Sequence, residues 1–303
     1  MTARLSLLLV AAAATTMAAQ APAAPSSACP DDAHAKFHAC AQAAMKTFTP
    51  QKTADGKPDL SGLWRRRAAA HEDLEEHPKT PDDAGATSAV VDPADGKVPM
   101  QPWSDAQRRV NAQKFLHHNA ACLLSGVPTT MYMTGLYQFI QTPEYVVIQS
   151  EEAHPWRIIP LDGRPHLSSR VRLWQGDSRG RWDGNTLVVE TTNLNARPYL
   201  DQRGRFTTED ATVTERFTLV DANTMHYQAT IDDPLVYTRP FTIALAFRRN
   251  TQPNTEIWEE ACFESNAEHM EHFRNVGFGI FPGISAAQAR EMKRAFEAQG
   301  TQR

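Results

Sequence analysis

Ala211-Thr-Val-Thr-Glu-Arg-Phe-Thr-Leu219 runs through Asp221-Ala-Asn223 into Thr224-Met-His-Tyr-Gln-Ala-Thr-Ile-Asp232, and this stretch decides the fold. Side chains two apart in a strand share a face. Ala211, Val213, Glu215, Phe217 and Leu219 therefore form one row, and Thr212, Thr214, Arg216 and Thr218 the other. Such alternation predicts a half-buried strand. The Asp-Ala-Asn segment supplies a turn, so 211–219 and 224–232 read as a hairpin.

The pattern extends outward from this hairpin. Segments 129–134, 136–141, 144–151, 155–161, 170–174, 186–193, 238–248 and 255–263 are rich in Val, Ile, Thr, Tyr, Phe and Trp and read as further strands. Asp162-Gly163 and Asp183-Gly184 punctuate them. The gaps are too short for helical crossovers, so the sheet is antiparallel. A sheet of this size tends to curl, and closure removes its edges. The expected fold is mainly β: an antiparallel β-barrel over residues 59–265, with helical arms at both ends. Residues 24–58 form the N-terminal arm, with a helix from Ala33 to Phe48. Residues 68–101 form an irregular excursion, and residues 103–118 an inserted helix capped by Ser104. Residues 266–303 form a helical tail with a helix from Ser285 to Gln299.

The Gly62-Leu-Trp64 step resembles the opening of lipocalin barrels, which implies a calycin- or lipocalin-like barrel in which Trp64 plugs a closed end. A wider resemblance follows from Pro58-Asp-Leu-Ser-Gly-Leu-Trp64, Cys122-Leu-Leu-Ser-Gly-Val-Pro128, Gln141-Thr-Pro143 and Asp162-Gly-Arg-Pro-His166. Gly180-Arg-Trp-Asp-Gly-Asn-Thr-Leu-Val-Val189, Thr214-Glu-Arg-Phe217, Ile231-Asp-Asp-Pro234 and Tyr237-Thr-Arg-Pro240 continue it. On these motifs, over roughly 55–265, the chain resembles a large family of secreted bacterial proteins that share the Pro-Asp-Leu-Ser-Gly-x-Trp opening and have no established reaction.

Arg4, the apolar run from Leu5 to Ala11 and the small residues after it have the order of a secretory signal peptide, placed at residues 1–23. The chain is then exported, to the periplasm or the extracellular space. In an oxidising compartment Cys29, Cys40, Cys122 and Cys262 read as two disulfides. Four cysteines allow three pairings. The favoured one is Cys29–Cys40, a local clip, with Cys122–Cys262 tying a loop to the last strand.

Among 303 residues, 31 basic and 35 acidic side chains leave a net charge of -4, with no overall basic field for nucleic acid. The mean hydropathy of -0.47 argues against a polytopic membrane protein, and no membrane insertion is expected. Oligomeric state is not legible. Gly176-Asp-Ser-Arg-Gly180 matches a serine-hydrolase elbow, but no helix is expected after the serine, so it reads as a tight polar turn. Gly277-Phe-Gly279 lacks the following βα unit of a dinucleotide site. His71-Glu72 lacks the second histidine of a zinc protease, since His77 is too far along the chain, and His269-Met-Glu-His272 reads as a solvated helix face. No metal and no cofactor are assigned.

Glu215 is the sharpest chemical feature. It stands in an apolar row, and a buried carboxylate must be paired or protonated. Arg157 and Arg239 are the possible partners. Tyr145, Val147, Gln149 and Glu151 share one face of 144–151, while His154, Asp162, His166 and Asp177 fall in loops at the barrel rim. The reading is an acid–base pocket with Glu215, Arg157, Arg239, Glu151 and His154 as catalytic groups. Asp162, His166, Asp177, Tyr145, Gln149 and Phe217 contact the ligand. The expected function is cofactor-independent lyase, isomerase or cyclase chemistry on a small apolar or aromatic molecule. The alternative is a non-catalytic periplasmic carrier of a small lipophilic ligand.

Overall fold

The two rows of the deciding hairpin take opposite faces. Val213, Glu215 and Phe217 are fully buried, and Met225, Tyr227, Ala229 and Ile231 lie in the same interior. The computed structural model describes residues 29–81 and 83–300. The signal-peptide segment 1–23 and the first residues of the N-terminal arm lie outside them.

The strands in chain order are β1 (Gly62–Arg66), β2 (Val90–Asp92), β3 (Phe115–Leu116), β4 (Tyr137–Gln141), β5 (Tyr145–Ser150), β6 (Trp156–Pro160), β7 (Asp177–Asp183), β8 (Thr186–Thr192), β9 (Thr212–Asp221), β10 (Thr224–Asp232), β11 (Phe241–Arg249) and β12 (Gly279–Ile280). The helices are α1 (His34–Ala44), α2 (Pro102–Lys114), α3 (Cys262–Asn275) and α4 (Ala286–Gly300). Nine strands form one antiparallel path, β6-β5-β4-β1-β11-β10-β9-β8-β7. It curls into a nearly closed barrel, and β6 and β7 meet at the seam without a ladder between them among the described residues. Gly180 on β7 makes the approach possible: a Cβ there would lie 2.6 Å from Leu161 Cδ2 and 2.8 Å from Ile159 Cγ2.

Aromatic rings fill the interior. Contacts run from Trp64 to Phe139 (6.5 Å between centroids), Phe139 to Phe217 (5.7 Å), Phe217 to Tyr227 (5.1 Å) and Tyr227 to Phe247 (5.9 Å). A barrel of this size has room for little more than its own side chains. Trp64 and Arg249 lie at one end of the barrel. Trp64 is fully buried, and the Arg249 guanidinium lies 4.3 Å from its ring centroid. Gly62 has φ +112, and a Cβ there would press on Arg249 Nη1 at 3.0 Å. Arg249 also donates to the carbonyls of Ser61 and Asp59. The opposite end is covered by the excursion between β1 and β4 and by the segment between β8 and β9. Phe37 and Ala41 of α1 pack with Val220 and Ala246 in a second, smaller core.

Both favoured disulfides are present, Cys29–Cys40 and Cys122–Cys262. The two bridges fit an oxidising, export-type environment. No helix among the described residues is long and apolar enough to cross a membrane.

Several expectations are corrected. Residues 255–261 are an unpaired strap and α3 starts at Cys262, so Cys122 is tied to a helix rather than to a last strand. Residues 129–132 form a 3-10 turn after Pro128, and 170–174 contribute only a bridge from Leu173 to Leu194. Gly176-Asp-Ser-Arg-Gly180, read as a tight turn, enters strand β7 at Asp177. The inserted helix ends at Lys114, and its N-cap is Gln101; Ser104 Oγ instead donates to the Gln101 and Val236 carbonyls. Overpacking a filled core costs about 1–3 kcal/mol. Gly180→Val is expected to lower unfolding free energy by about that amount in urea titrations, and Gly163→Val, at a turn with open space, to leave the seam intact.

Candidate functional site

Parity places Glu215 inside, and the barrel path places Arg157 of β6 opposite it. Arg157 Nη1 donates to Glu215 Oε1 at 2.9 Å, Nη2 donates to Oε2, and the Tyr227 hydroxyl donates to Oε1 at 2.9 Å. Arg157 Nε donates to Ser178 Oγ (3.0 Å) and Nη2 to Thr191 Oγ1 (2.8 Å). All five side chains are buried. Burial first, and then the neighbouring Glu215 carboxylate, push the Tyr227 phenol well up, so it is a permanent donor. Every polar atom of the pair is engaged, as a buried ion pair requires. The cluster spans β6, β7, β8, β9 and β10, and it clasps the barrel seam.

The other expected site residues do not converge on Glu215. Arg239 is exposed and pairs with Asp92, so it is not the partner of Glu215. Asp162 is exposed and pairs with Arg164, whose guanidinium lies over the Tyr145 ring on the outer surface. His166 bridges Asp177 (2.9 Å) and Glu190 (3.2 Å), and Asp177 also accepts from Arg179. Asp177 opens β7 rather than lying in a loop. Phe217 is part of the interior ring packing. Glu151 Oε2 accepts from Leu136 N and Oε1 from Trp258 N, while His154 Nε2 accepts from Glu260 N. Gln149 and His154 do line a common groove of about 470 Å³ with Leu63, Gln138 and Trp258. It lies outside the barrel, beneath the 255–259 strap.

A different constellation sits over the barrel end opposite Trp64, and sequence reasoning did not find it. Asn119 Nδ2 donates to Glu152 Oε1 at 2.8 Å, which fixes the amide orientation. Asn119 Oδ1 then faces His117 Nδ1 at 2.6 Å, a shorter contact than the 3.4 Å approach of Asn119 N–H to the same nitrogen, and the shorter contact assigns the imidazole proton to Nδ1. His117 Nε2 is left as a lone pair, buried and without a hydrogen-bond partner. Thr134 holds the second Glu152 oxygen through its N–H (2.9 Å) and its hydroxyl (2.5 Å). Burial drives the His117 pKa down to about 4, against smaller upward effects of Asn119 and Asp201. The Tyr199 ring centroid is 6.1 Å from that of His117, and the Tyr199 hydroxyl is also buried and unpartnered. Burial pushes its pKa up. The pair thus offers one fixed acceptor and one fixed donor at neutral pH.

His118 is different. Its Nδ1 accepts from Tyr199 N (3.2 Å), so its Nε2–H donates to Ser125 Oγ at 2.9 Å. That direction cannot activate Ser125 as a nucleophile. Tyr199 stacks on Phe281 with centroids 4.5 Å apart. Phe281 also lines a groove of about 280 Å³ between α2 and α4, with Phe115, Ile284 and Met292 as apolar walls and Gln107 and Asn111 as polar ones. The His117-His118 pair fell within the predicted 103–118 helix, which hid its position in the turn after β3.

No family model and no curated protein match the chain. Among solved structures, an abundant heat soluble (SAHS) protein from Ramazzottius varieornatus is similar, at 8% identity and a TM-score of 0.27, over 63% of this chain and 95% of that one.

Breaking a buried pair leaves an uncompensated charge and costs about 3–5 kcal/mol. Glu215→Gln is expected to lose that much stability in chemical denaturation, and Arg157→Met with Glu215→Leu to recover most of it. The buried histidines set a pH dependence. His34, His38, His117, His118 and His226 are all lowered, first by burial, with His117 at about 4 and His226 at about 3. Below the ordinary value of about 6.5 the unfolded chain takes up protons that the folded rings refuse. Stability therefore falls as pH drops from about 6.5 toward 4, with His117 alone accounting for roughly 3 kcal/mol. Urea midpoints measured across that range should decline, and His117→Gln should flatten the slope.

Proposed function

We propose that the chain binds a small, mostly apolar molecule with a polar group at the capped end of its barrel. His117 Nε2 accepts a hydrogen bond from the ligand, and the Tyr199 hydroxyl donates one. The observation that carries this reading is that, of seven buried side-chain polar atoms without a hydrogen-bond partner among the described residues, two belong to rings that pack together, His117 and Tyr199. The groove bounded by Phe115, Phe281 and Met292 supplies the apolar wall. In this reading the protein is an exported, periplasmic or extracellular carrier, consistent with its two disulfides and with its resemblance to the secreted family that shares its opening motif.

A second reading, proton-transfer catalysis of the lyase or isomerase kind, rests on the packing of the His117 and Tyr199 rings, and the pKa shifts, which weaken His117 as a base and Tyr199 as an acid, count against it. His117 would remove a proton at Nε2 while Asn119 holds Nδ1–H, and Tyr199 would supply one. Glu215 has no part in it, because Arg157 and Tyr227 occupy both its oxygens.

The test incubates mature protein with pooled aromatic, terpenoid and steroid metabolites and follows bound and new masses by mass spectrometry. His117→Gln and Tyr199→Phe run in parallel, with folding checked by circular dichroism. A ligand retained unchanged by wild type and lost from both variants supports the carrier. A new mass that needs His117 supports the enzyme. Ligand capture indifferent to both substitutions rules out this site.

A further inference from the structure

The loop from His71 to Ala86 brings two histidine rings against carboxylates. His77 has a side chain only 3% exposed. Its Nδ1 lies 2.9 Å from the Glu75 carbonyl oxygen, which only accepts, so Nδ1 carries the proton. In the neutral ring Nε2 is then a lone pair, yet it faces Asp83 Oδ1 at 3.2 Å. The second contact is alike. Arg66 Nη2, which only donates, lies 3.3 Å from His71 Nδ1, so that nitrogen is an acceptor. It nonetheless sits 2.9 Å from Glu72 Oε2, and this carboxylate oxygen is buried without a hydrogen-bond partner. Against the upward effect of burial, the Glu72 carboxylate is held below its ordinary pKa by His71 and Arg66, so it is charged and open to a cation.

A buried carboxylate oxygen without a hydrogen-bond partner, close to a histidine nitrogen that faces a second carboxylate, is the geometry of a cation site. Glu72, His77 and Asp83 each offer one ligand atom, and the three atoms lie within 4.8 Å of one another. The 3.2 Å between His77 Nε2 and Asp83 Oδ1 already suits two ligands at about 2.0–2.2 Å from one ion, and the Glu72 carboxylate would swing in to join them, with a fourth position left open. The surroundings resemble the outer support of a metal site. The Glu75 carbonyl orients the histidine ring, and Gly85 N–H donates to Asp83 Oδ1 at 2.8 Å. Gly85 is fixed by its own geometry: at φ +70, a Cβ would strike Lys79 N at 2.6 Å. Chain distance concealed the set, because the loop folds back through the His77–Ala86 and Thr80–Asp83 bridges.

We propose that Glu72, His77 and Asp83 bind one divalent transition-metal ion. The mixed nitrogen and oxygen donors favour Zn2+ over Mg2+ or Ca2+. The ion pins the long excursion between β1 and β2, which has few regular backbone bonds of its own. This proposal is independent of the small-molecule reading.

The test uses the full-length mature chain without an affinity tag, stripped by chelator and titrated with Zn2+ by calorimetry, with Mg2+ in parallel. One Zn2+ per chain is expected, together with a raised Tm. Glu72→Gln and Asp83→Asn keep side-chain shape and should each weaken binding by about tenfold or more. His77→Gln should abolish it, and the first two variants still decide the matter if that one fails to fold. A His269→Gln, His272→Gln double variant on α3 should bind as wild type. The proposal falls if no Zn2+ binds, if Glu72→Gln and Asp83→Asn bind as well as wild type, or if only the α3 variant loses binding. It also falls if nitrogen NMR shows both His77 ring nitrogens protonated with and without Zn2+, since an imidazolium would then supply the positive centre.

Discussion

Closure of this barrel rests on a buried guanidinium. Eight junctions along the nine-strand path are ladders of backbone hydrogen bonds, and the ninth is not. Arg157 reaches from β6 across that gap to Ser178, Thr191 and Glu215. A charge taken out of water costs several kcal/mol unless its partners are complete. Here they are complete: four guanidinium hydrogens go to two carboxylate oxygens and two hydroxyls, and the Tyr227 phenol donates to the carboxylate as well. Gly180 is the steric counterpart of this clasp, because it leaves room for Ile159 and Leu161 to lie against β7.

That solution has a consequence for function. Once the seam is held by an interior ion pair and the remaining volume by aromatic rings, the barrel interior is committed to stability. At the far end Trp64, Gly62 and Arg249 are held together by stacking and by carbonyl contacts. The unpartnered polar atoms of His117 and Tyr199 lie instead in the cap over the other end, where the chain is irregular and side chains from separate loops meet. The Cys122–Cys262 bridge lies beside this cap, joining the residue after the His118–Ala121 turn to the start of α3.

Period-two patterning made most of the barrel legible. It gave β5, β6, β8, β9, β10 and β11 nearly at their limits and assigned Glu215 to the interior row. It also let Arg157 be named as a partner. The failures have physical causes. Gly176-Asp-Ser-Arg-Gly180 carries turn residues because Ser178 serves the clasp and Gly180 the close approach, so its strand character is not in its hydrophobicity. Thr255-Glu-Ile-Trp258 alternates like a strand but finds no ladder partner, being held by Glu151 and His154 instead. Arg239 was a reasonable partner by charge alone, and only the path of the chain sends it to Asp92. His117, Asn119, Glu152 and Tyr199 come from separate loops, and no periodicity relates residues that meet only through tertiary folding.

The same burial gives His117 two properties that pull in opposite directions. Removing water from the ring keeps it neutral at pH 7, so its Nε2 lone pair is always available to a ligand. It also means that every proton the unfolded chain gains in acid counts against the fold. The Glu152–Asn119 support moderates the conflict without ending it: the amide fixes the tautomer, and the carboxylate sits one residue removed. A direct carboxylate contact would raise the pKa of His117 and make the fold more acid-tolerant, but it would also hold a proton on the ring and blur its identity as an acceptor. Inserting a neutral amide keeps the orientation and omits most of the charge. The arrangement is what a site would use to hold one polar group of an otherwise apolar molecule by its donor–acceptor pattern, rather than by its charge.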